Sequence, residues 1–345
     1  MAFSLFFLLS LLLPASSAEA QSWKVQTSGT DSNLRGVSAA YVHDKQAVSP
    51  LAVWASGSNG VVLRSLDKGK TWERLRVAGG ETLDFRGIVA FDAATAYVMS
   101  SGEGDKSRIY KTSDGGATWT LQYSDTRKEF FLDTIACLSE KHCFALGDPV
   151  NGKFLLLETR DGQRWNALPS DGMPGALPGE GAFAASNSCL VVFGEMILFG
   201  TGGPAARVFR SPDLGRSWTV VETPLAHGNA SSGIFSLARW RGTELLAVGG
   251  DYREPKLASA VAAFSLDDGQ TWELASQPPG GFRSSIAANS SSVFAIGPNG
   301  EDFSVDGGVS WKHMDSLNLN AAVLPDSVNG WAVGPNGTIA RFVSH

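Results

Sequence analysis

The stretch KTSDGGATW, residues 111–119, places an aspartate and two glycines between two β-rich runs. The pattern Ser/Thr-x-Asp-x-Gly-x-x-Trp occurs five times along the chain, and a sixth copy, TRDGQRW at 159–165, is one residue shorter. Their tryptophans lie 39 to 54 residues apart, a spacing typical of propellers and other repeat arrays. The residues of these boxes are Asp67, Asp114, Asp161, Asp213, Asp267 and Asp306, with Trp72, Trp119, Trp165, Trp218, Trp272 and Trp311.

Each box has the composition of a tight turn. An Asp side chain can accept hydrogen bonds from backbone N–H groups that follow it, and Gly permits the positive φ that such a turn needs. The Trp then begins a strand and can bury its ring between neighbouring sheets. Six copies spread along the chain favour a structural role over catalysis, and weak calcium binding at a box is the alternative.

Each box lies between two β-runs, and two further β-runs precede this pair. One repeat therefore contains four strands, here called A to D, and the box is the C–D turn. The predicted A strands are LRGVSA (34–39), FRGIVA (85–90), LDTIAC (132–137), GAFAAS (181–186), SGIFSL (232–237), FRSSIAA (282–288) and LNAAVL (319–324). With short strands, frequent turn residues and no long amphipathic pattern, the sequence predicts an all-β fold: a seven-bladed β-propeller with four-stranded antiparallel blades.

The seventh repeat ends before its D strand. SWKVQTSG (22–29) is a spare D-like strand with Trp23 in the box position, 49 residues before Trp72. We therefore expect the N-terminal strand to complete the last blade, which removes the exposed edges of an open array. Residues 21–345 form one predicted domain.

The first twenty residues have a different character. FSLFFLLSLLL (3–13) is too short to span a bilayer, and small residues up to Ala20 follow it. This predicts a secretory signal peptide over residues 1–20 and an exported protein, periplasmic or extracellular, that does not span the membrane. The formal net charge of −6 without a basic stripe argues against nucleic-acid binding.

Three cysteines fit an oxidising compartment. Cys137 and Cys143 bracket a short LSEKH segment, so they can face each other across a hairpin, and we predict a disulfide between them. Cys189 has no evident partner and is expected to be buried. The five histidines are scattered and no CxxC motif occurs, so no metal site and no cofactor are predicted.

Candidate binding residues converge on one face of the predicted ring. The D–A connections and the B–C loops share this face, opposite the boxes. Irregular blades, such as the LPSDGMPGALPGEG insertion (168–181), often mark a binding surface in repeat proteins. The residues expected there are Arg35, Arg86, Asp133, Glu180, Ser232, Arg283 and Asn320 at the starts of the A strands, with Asp148, Asp251, Tyr252 and Arg253 from the B–C loops. They could bind a partner or a ligand that carries both charges, or form salt bridges that close the channel.

Three enzyme classes fit less well. A sialidase needs an arginine triad and a Tyr nucleophile, for which Tyr252 is the candidate, but LRGV stands where an Arg-Ile-Pro motif is expected. GTGGPA (200–205) matches a dinucleotide motif, yet a strand and a box follow it instead of the required helix. No Gly-x-Ser-x-Gly elbow occurs, and His227 is the only histidine near the face.

The boxes resemble the BNR/Asp-box repeat known from sialidases and other propellers. The whole mature chain resembles the photosystem II stability/assembly factor-like family, in its bacterial branch, through ALGDPVNGKFLLLETRDG (145–162), GEGAFAASNSC (179–189), FGTGGPAARVFRS (199–211), GNASSGIFSL (228–237) and VGGDYREP (248–255). This resemblance implies a monomeric, non-catalytic propeller that binds protein and assists assembly of a membrane or periplasmic complex, in the thylakoid lumen if the source is phototrophic. A glycosidase-like or carbohydrate-binding propeller, or an oxidoreductase as some relatives are labelled, is the alternative.

Overall fold

Seven antiparallel sheets follow one another along the chain, and each contains the four strands that the repeat predicts. The structure, a computed structural model, describes residues 22–40, 43–44, 47–48 and 52–343. The seven-bladed propeller is thereby confirmed. The predicted signal peptide, residues 1–20, lies outside the described residues.

Within each blade the strands pair in the order A, B, C, D. Their bounds are, in blade 1, Leu34–Ala40, Ala52–Gly57, Val62–Ser65 and Glu73–Leu75; in blade 2, Phe85–Ala90, Ala96–Ser100, Arg108–Thr112 and Thr120–Ser124; in blade 3, Leu132–Ser139, His142–Val150, Lys153–Thr159 and Asn166–Ala167; in blade 4, Leu190–Phe193, Met196–Gly200, Arg207–Ser211 and Thr219–Glu222. They are, in blade 5, Asn229–Arg239, Leu245–Asp251, Ala262–Ser265 and Glu273–Leu274; in blade 6, Ser285–Ala288, Val293–Gly297, Gly300–Ser304 and Lys312–Asp315; in blade 7, Ala321–Val323, Trp331–Val333, Ile339–Val343 and Ser22–Gln26.

Three short elements complete the description. Gly202–Gly203 adds a fifth strand to the sheet of blade 5. His43–Asp44 pairs with Ala47–Val48 beyond the first strand of blade 1. Gly104–Lys106 forms a 3₁₀ turn between strands B and C of blade 2.

The N-terminal strand closes the ring as predicted. Ser22–Gln26 pairs antiparallel with Ile339–Val343, and Trp23 lies opposite Phe342. The Trp23 ring is buried and makes edge contacts with Phe342 and Phe294, at centroid distances of 5.5 and 6.3 Å. The two ends of the chain therefore share one sheet.

The core fills the spaces between blades. Seven hydrophobic clusters each combine side chains from two neighbouring blades. Trp119, for example, meets Trp54 of the preceding blade edge to face at 6.3 Å. Because both faces of a blade are covered, the B strands are apolar almost throughout, and Ala52–Gly57 is buried at every position.

The box turns bind their own aspartates. Asp114 Oδ1 accepts hydrogen bonds from Thr112 Oγ1 at 2.8 Å and from Thr118 N at 2.9 Å, while Thr118 Oγ1 donates to its Oδ2 at 2.6 Å. These bonds lower the pKa of Asp114 to about 2. Gly115 and Gly116 both have positive φ, as the turn requires. The carboxylate is fully engaged within its own turn.

The predicted cysteine pair lies in register on strands A and B of blade 3. The sulfur atoms of Cys137 and Cys143 are 2.01 Å apart, and the Cα atoms 3.9 Å. Cys189 is buried and unpaired. Burial, with Asp133 nearby, raises its pKa.

The prediction for strand A of blade 4 was wrong. GAFAAS (181–186) is not a strand; LVVF at Leu190–Phe193 forms strand A instead. Residues 182–188, here called the channel segment, run across the inner ends of other blades. Arg86 Nη1 donates to Ala184 O at 3.1 Å, and Ser186 Oγ donates to Ser284 O at 2.7 Å. The channel segment therefore narrows the central channel.

A glycine makes room for this segment. Ile135 N donates to Asn187 Oδ1 at 2.8 Å, which holds the Asn187 side chain against blades 2 and 3. A Cβ atom on Gly87 would lie 2.6 Å from Asn187 Oδ1 and 3.0 Å from Ile135 Cγ2. Any larger residue at position 87 would displace the segment.

Candidate ligand-binding site

A cavity of about 450 Å³ lies where the A strands begin and the B–C loops converge. Because B–C loops and C–D turns lie at opposite ends of a blade, this mouth is on the face away from the boxes. The cavity contains charges of both signs and a group of aromatic rings. Its lining is Arg35, Arg86, Phe131, Asp133, Asp148, Ala182, Phe183, Ala184, Ala185, Phe235, Tyr252, Phe282, Ser284, Pro298 and Asn320.

Two arginines form the cationic side. Arg86 Nε donates to Asp84 Oδ2 at 2.7 Å, so one of the two is paired. Arg35 belongs to no ion pair among the described residues, and its buried Nε has no hydrogen-bond partner there. Burial and the like charge of Arg86 lower the pKa of Arg35. This side of the cavity therefore carries unbalanced positive charge.

Two carboxyl groups from blade 3 form the acidic side. Asp133 is 1% exposed, and its Oδ2 has no hydrogen-bond partner in the described part of the chain. Asp148 Oδ1 accepts from Ala182 N at 3.0 Å. Burial raises the pKa of both groups, and the charge of Asp148 adds to the rise at Asp133. Buried carboxyl groups with a raised pKa can hold a proton or pair with an incoming cation.

Aromatic rings line the same cavity as the charged groups. Phe183 stacks on Phe235 at a centroid distance of 3.7 Å, and Phe282 meets Phe235 edge to face at 4.7 Å. Tyr252, which is 46% exposed, meets Phe235 edge to face at a centroid distance of 6.1 Å. Such an apolar surface with a few polar groups around it is the usual composition of a ligand pocket.

Glycines explain how Phe183 enters the channel. A Cβ atom on Gly202 would collide with the Phe183 ring, and one on Gly233 would lie 3.0 Å from it. Gly233 also has φ of +152°, a conformation available chiefly to glycine. The GTGG stretch, rejected above as a dinucleotide motif, thus joins blades 4 and 5 beneath an aromatic side chain.

The structure places six of the eleven predicted face residues on the cavity: Arg35, Arg86, Asp133, Asp148, Tyr252 and Asn320. Asn320 Nδ2 donates to Asn33 Oδ1 and Leu34 O, each at 2.7 Å. It therefore links the last blade to the first at the channel mouth.

Glu180 and Arg283 have other environments. Arg207 forms a bidentate ion pair with Glu180, whose side chain is fully buried and also accepts from Thr201 Oγ1 at 2.6 Å. Arg283 is 1% exposed, and its Nε and Nη2 both donate to Oδ2 of Asp302. Both are already neutralised by the protein itself.

Register explains the position of Arg283. Its backbone lies beside Gly297, as Leu34 lies beside Gly57 in blade 1. The residue equivalent to Arg35 is therefore Ser284, which lines the cavity. By the same comparison Ile234 corresponds to Leu34, so Phe235 takes the cavity position of blade 5. Ser232 lies outside, where its Oγ donates to Asn229 O at 3.1 Å.

Asp251 and Arg253 lie at the rim. Asp251 Oδ2 accepts from Asn229 Nδ2 at 3.0 Å, and its Oδ1 accepts from Arg253 N at 2.9 Å. The Arg253 side chain is exposed. These residues flank the cavity without lining it.

A second cavity of about 690 Å³ opens beside the first, between blade 3 and the inserted segment of blade 4. The two share Asp148, Ala182 and Phe183. Glu129, which is exposed, also lines this groove. The four phenylalanines of the central cavity were missed in the sequence. Their signal is an aromatic residue within or shortly before a predicted A strand: Phe131, Phe183, Phe235 and Phe282.

The described residues contain no group of three or more His, Cys, Asp or Glu side chains placed to hold a metal ion. Within the same part of the chain, no helix is both long and apolar enough to cross a bilayer.

The fold and the cavity define a seven-bladed propeller with a polar and aromatic pocket at the channel mouth. In its fold the chain is similar to a structure described as YCF48 bound to D1 peptide, with a TM-score of 0.65 and 16% identity over 95% of this chain and 100% of that one. YCF48 from Cyanidioschyzon merolae gives a TM-score of 0.63 at 16% identity, over 93% and 98%. The computationally designed Ika8 protein gives 0.55 at 8%, over 93% and 100%.

No protein-family model matches the chain, and a comparison with curated protein sequences gives no match. At these identities the structural likeness establishes the fold.

Proposed function

We propose that this protein is an exported, non-catalytic propeller that binds a protein partner at the channel mouth and serves as an assembly or scaffold factor for a membrane or periplasmic complex. The observation that carries the proposal is the cavity itself, which holds buried charged atoms without partners beside stacked aromatic rings. Uncompensated buried charge is costly, and a complementary ligand would remove that cost.

The comparisons add support of a different kind. The fold is shared with YCF48, and one YCF48 structure is described as bound to a D1 peptide. A propeller of this architecture can therefore present a peptide site. We infer by analogy that a segment of a larger protein occupies the mouth of the present chain.

Export belongs to the same proposal. We take residues 1–20 as a secretory signal and Cys137–Cys143 as a disulfide formed after export, since such bonds persist in oxidising compartments. Amino-terminal sequencing of the protein from the native host should begin at Gln21. Free-thiol labelling of the denatured, unreduced protein should detect only Cys189, which is buried in the folded state.

Site-specific photocrosslinking tests partner binding. A photoreactive amino acid in place of Tyr252 should give a defined adduct in the native host, whereas the same group in place of Leu266, exposed on the box face, should not. Arg35→Glu with Arg86→Glu should abolish the adduct. The matched control is Arg216→Glu, an exposed box-turn arginine.

The buried Arg283 is unsuitable for charge reversal because a carboxylate there would face Asp302. Adducts from the Leu266 position alone, or an adduct that survives the double reversal, would contradict the proposal.

An enzyme acting on glycosides is the second candidate. One observation favours it: a buried carboxyl group with a raised pKa, Asp133, shares a cavity with Tyr252, and perturbed carboxyl groups in clefts are frequent in active sites. Hydrolysis of aryl glycosides by the purified protein, lost in Asp133→Asn and in Tyr252→Phe, would establish this activity in place of the scaffold role.

A further inference from the structure

The junction of the two cavities is acidic. Asp148 lines both the central cavity and the outer groove, Asp133 lines the central cavity, and Glu129 lies in the groove. A chain segment that occupies the groove and reaches the central cavity therefore meets three carboxyl groups.

Among the described residues, no cation forms an ion pair with Asp133 or Asp148. Asp133 is 1% exposed, and its Oδ2 accepts no hydrogen bond within the described residues. Asp148 receives one backbone N–H, from Ala182. The nearby cation, Arg86, is engaged by Asp84 at 2.7 Å and by Ala184 O at 3.1 Å. A buried carboxylate without a partner costs several kcal/mol, so this arrangement is unfavourable until a donor enters.

The surroundings suit a long side chain with a charged end. Ala182 and Phe183 form the wall shared by both cavities, and Phe131 lines the inner one. Lys and Arg bury their aliphatic stems along apolar surface while the charged end reaches a polar group. Gly181 leaves space for the Asp148 carboxylate, because a Cβ atom there would lie 2.9 Å from Asp148 Oδ1.

We propose that Asp133 and Asp148 form a specificity pocket for a lysine or arginine side chain of an extended peptide segment that lies in the groove between blades 3 and 4. This inference rests on the proposed function and defines which partner segments the channel mouth accepts. The basic group ends at the two carboxylates, and its stem contacts Phe183. An arginine guanidinium can pair with both carboxylates at once through its planar array of donors.

The pocket also predicts a dependence on pH. The groups that face Asp133 are Asp148 from strand B of blade 3, Arg86 from blade 2 and the buried Cys189 thiol before strand A of blade 4. Burial raises the pKa of both carboxyl groups, so the free pocket retains protons to a higher pH than an exposed pair of carboxyl groups would. An arginine ligand, whose own charge is constant, must displace them, so its affinity should rise with pH.

A positional-scanning library of acetylated and amidated hexapeptides provides the probe, because such peptides carry no terminal charges. The wild-type protein should select Lys or Arg at one position. In Asp133→Asn with Asp148→Asn this selection should disappear, and the best arginine peptide should bind at least tenfold more weakly. Asp171→Asn, at an exposed site, is the matched control and should behave like the wild type.

Titration of the selected arginine peptide between pH 5 and 8 gives the second readout. Affinity should rise with pH in the wild type and stay level in the double variant, whose thermal unfolding verifies that it is folded. If hexapeptides bind the wild type without selecting a basic residue, and the double variant binds them equally, the specificity pocket is overturned while the proposed function stands. If no hexapeptide binds, or if binding survives Phe183→Ala with Tyr252→Ala, the peptide site at the channel mouth fails, and with it this inference.

Discussion

The six box turns and the channel mouth contain similar polar residues. The boxes satisfy the hydrogen bonds of these residues locally, whereas the mouth leaves some of them unsatisfied. In a box, the aspartate lies at the surface and receives hydrogen bonds from residues two to four positions away. At the mouth, Asp133 is buried and Arg35 is half-buried, and each has a buried polar atom without a partner among the described residues. The repeated turn is stabilised by hydrogen bonds within itself, whereas the mouth has unsatisfied polar groups to which a ligand can bind.

A third group of charges lies between these extremes. Glu180 with Arg207, and Arg283 with Asp302, are buried as complete ion pairs close to the same mouth. Burial alone therefore does not distinguish a binding residue from a structural one. The distinction depends on whether the protein supplies the counter-charge.

The largest expected effect is on the free energy of unfolding, in a comparison of Arg283→Met with Arg35→Met. This comparison tests whether the counter-charge distinguishes a structural residue from a binding residue. Loss of Arg283 leaves the Asp302 carboxylate buried without its cation, so the free energy of unfolding should fall by about 3–5 kcal/mol. Arg35 forms no ion pair with the residues that the structure describes, so Arg35→Met should change stability by about 1 kcal/mol or less. Urea denaturation of both variants measures the difference. Equal losses would show that Arg35 is as structural as Arg283.

Glu301→Gln extends the comparison to a buried carboxyl group away from the mouth. Glu301 is fully buried beneath the closing strand, and burial, together with the neighbouring Asp315, raises its pKa to about 9. The folded state retains a proton that the unfolded chain releases above its ordinary pKa of 4.5, so stability should decrease as pH rises from about 4.5 to 9.

Glutamine removes this proton linkage. The variant should therefore be more stable than the wild type by about 3 kcal/mol at pH 7 and similar to it at pH 4. Thermal unfolding at several pH values tests the sign, and a wild-type curve parallel to that of the variant would refute the linkage.

Gly87→Ala tests the channel segment that shapes the mouth. The added methyl group would lie 2.6 Å from Asn187 Oδ1, and overpacking of this kind costs about 1–3 kcal/mol. Gly172→Ala is the control, since a Cβ atom there approaches only Arg216 O, at 3.6 Å. It should be neutral or slightly stabilising. Similar unfolding midpoints for the two variants would place Asn187 outside the packed channel.

Asp67→Asn has the smallest expected effect. Hydrogen bonds from the backbone and side chain of Thr71 lower the pKa of Asp67 to about 2. Its contribution is therefore present above the ordinary value of 3.8 and is lost as pH falls through about 2. By analogy with capping aspartates, the variant should lose about 1 kcal/mol at pH 7, and nothing once the wild-type carboxylate is protonated. The exposed Asp31→Asn should lose nothing at either pH.

The fold was predictable because its signals are local and repeated. The box identifies each C–D turn, and the period of the repeat gives the number of blades. The absence of a D strand in the seventh repeat indicates that the N-terminal strand with Trp23 takes its place. Strand A of blade 4 was misplaced because GAFAAS resembles the apolar runs of the other blades, while LVVF lies further along the chain. The choice between the two depends on contacts of residues 182–188 with distant blades, which no local pattern contains.

The candidate site was predictable only in part. Aligning the blades brought Arg35, Arg86, Asp133 and Asn320 to one ring, because equivalent positions in a propeller face the same channel. A shift of one residue separated Arg283 from Ser284, and a larger one separated Ser232 from Phe235. Bulges and insertions cause such shifts, and a single displaced residue transfers a side chain from the channel to the blade interior.

The order of residues along the chain thus determined the seven blades, the closure by Ser22–Gln26 and the face on which charged side chains collect. These features follow from local turn chemistry and from the alternation of apolar residues. Tertiary structure alone decided that Glu180 and Arg283 are neutralised while Arg35 and Asp133 are not. That outcome depends on counter-charges brought from Arg207 and Asp302, 27 and 19 residues away in the chain, and on the channel segment that lines the cavity.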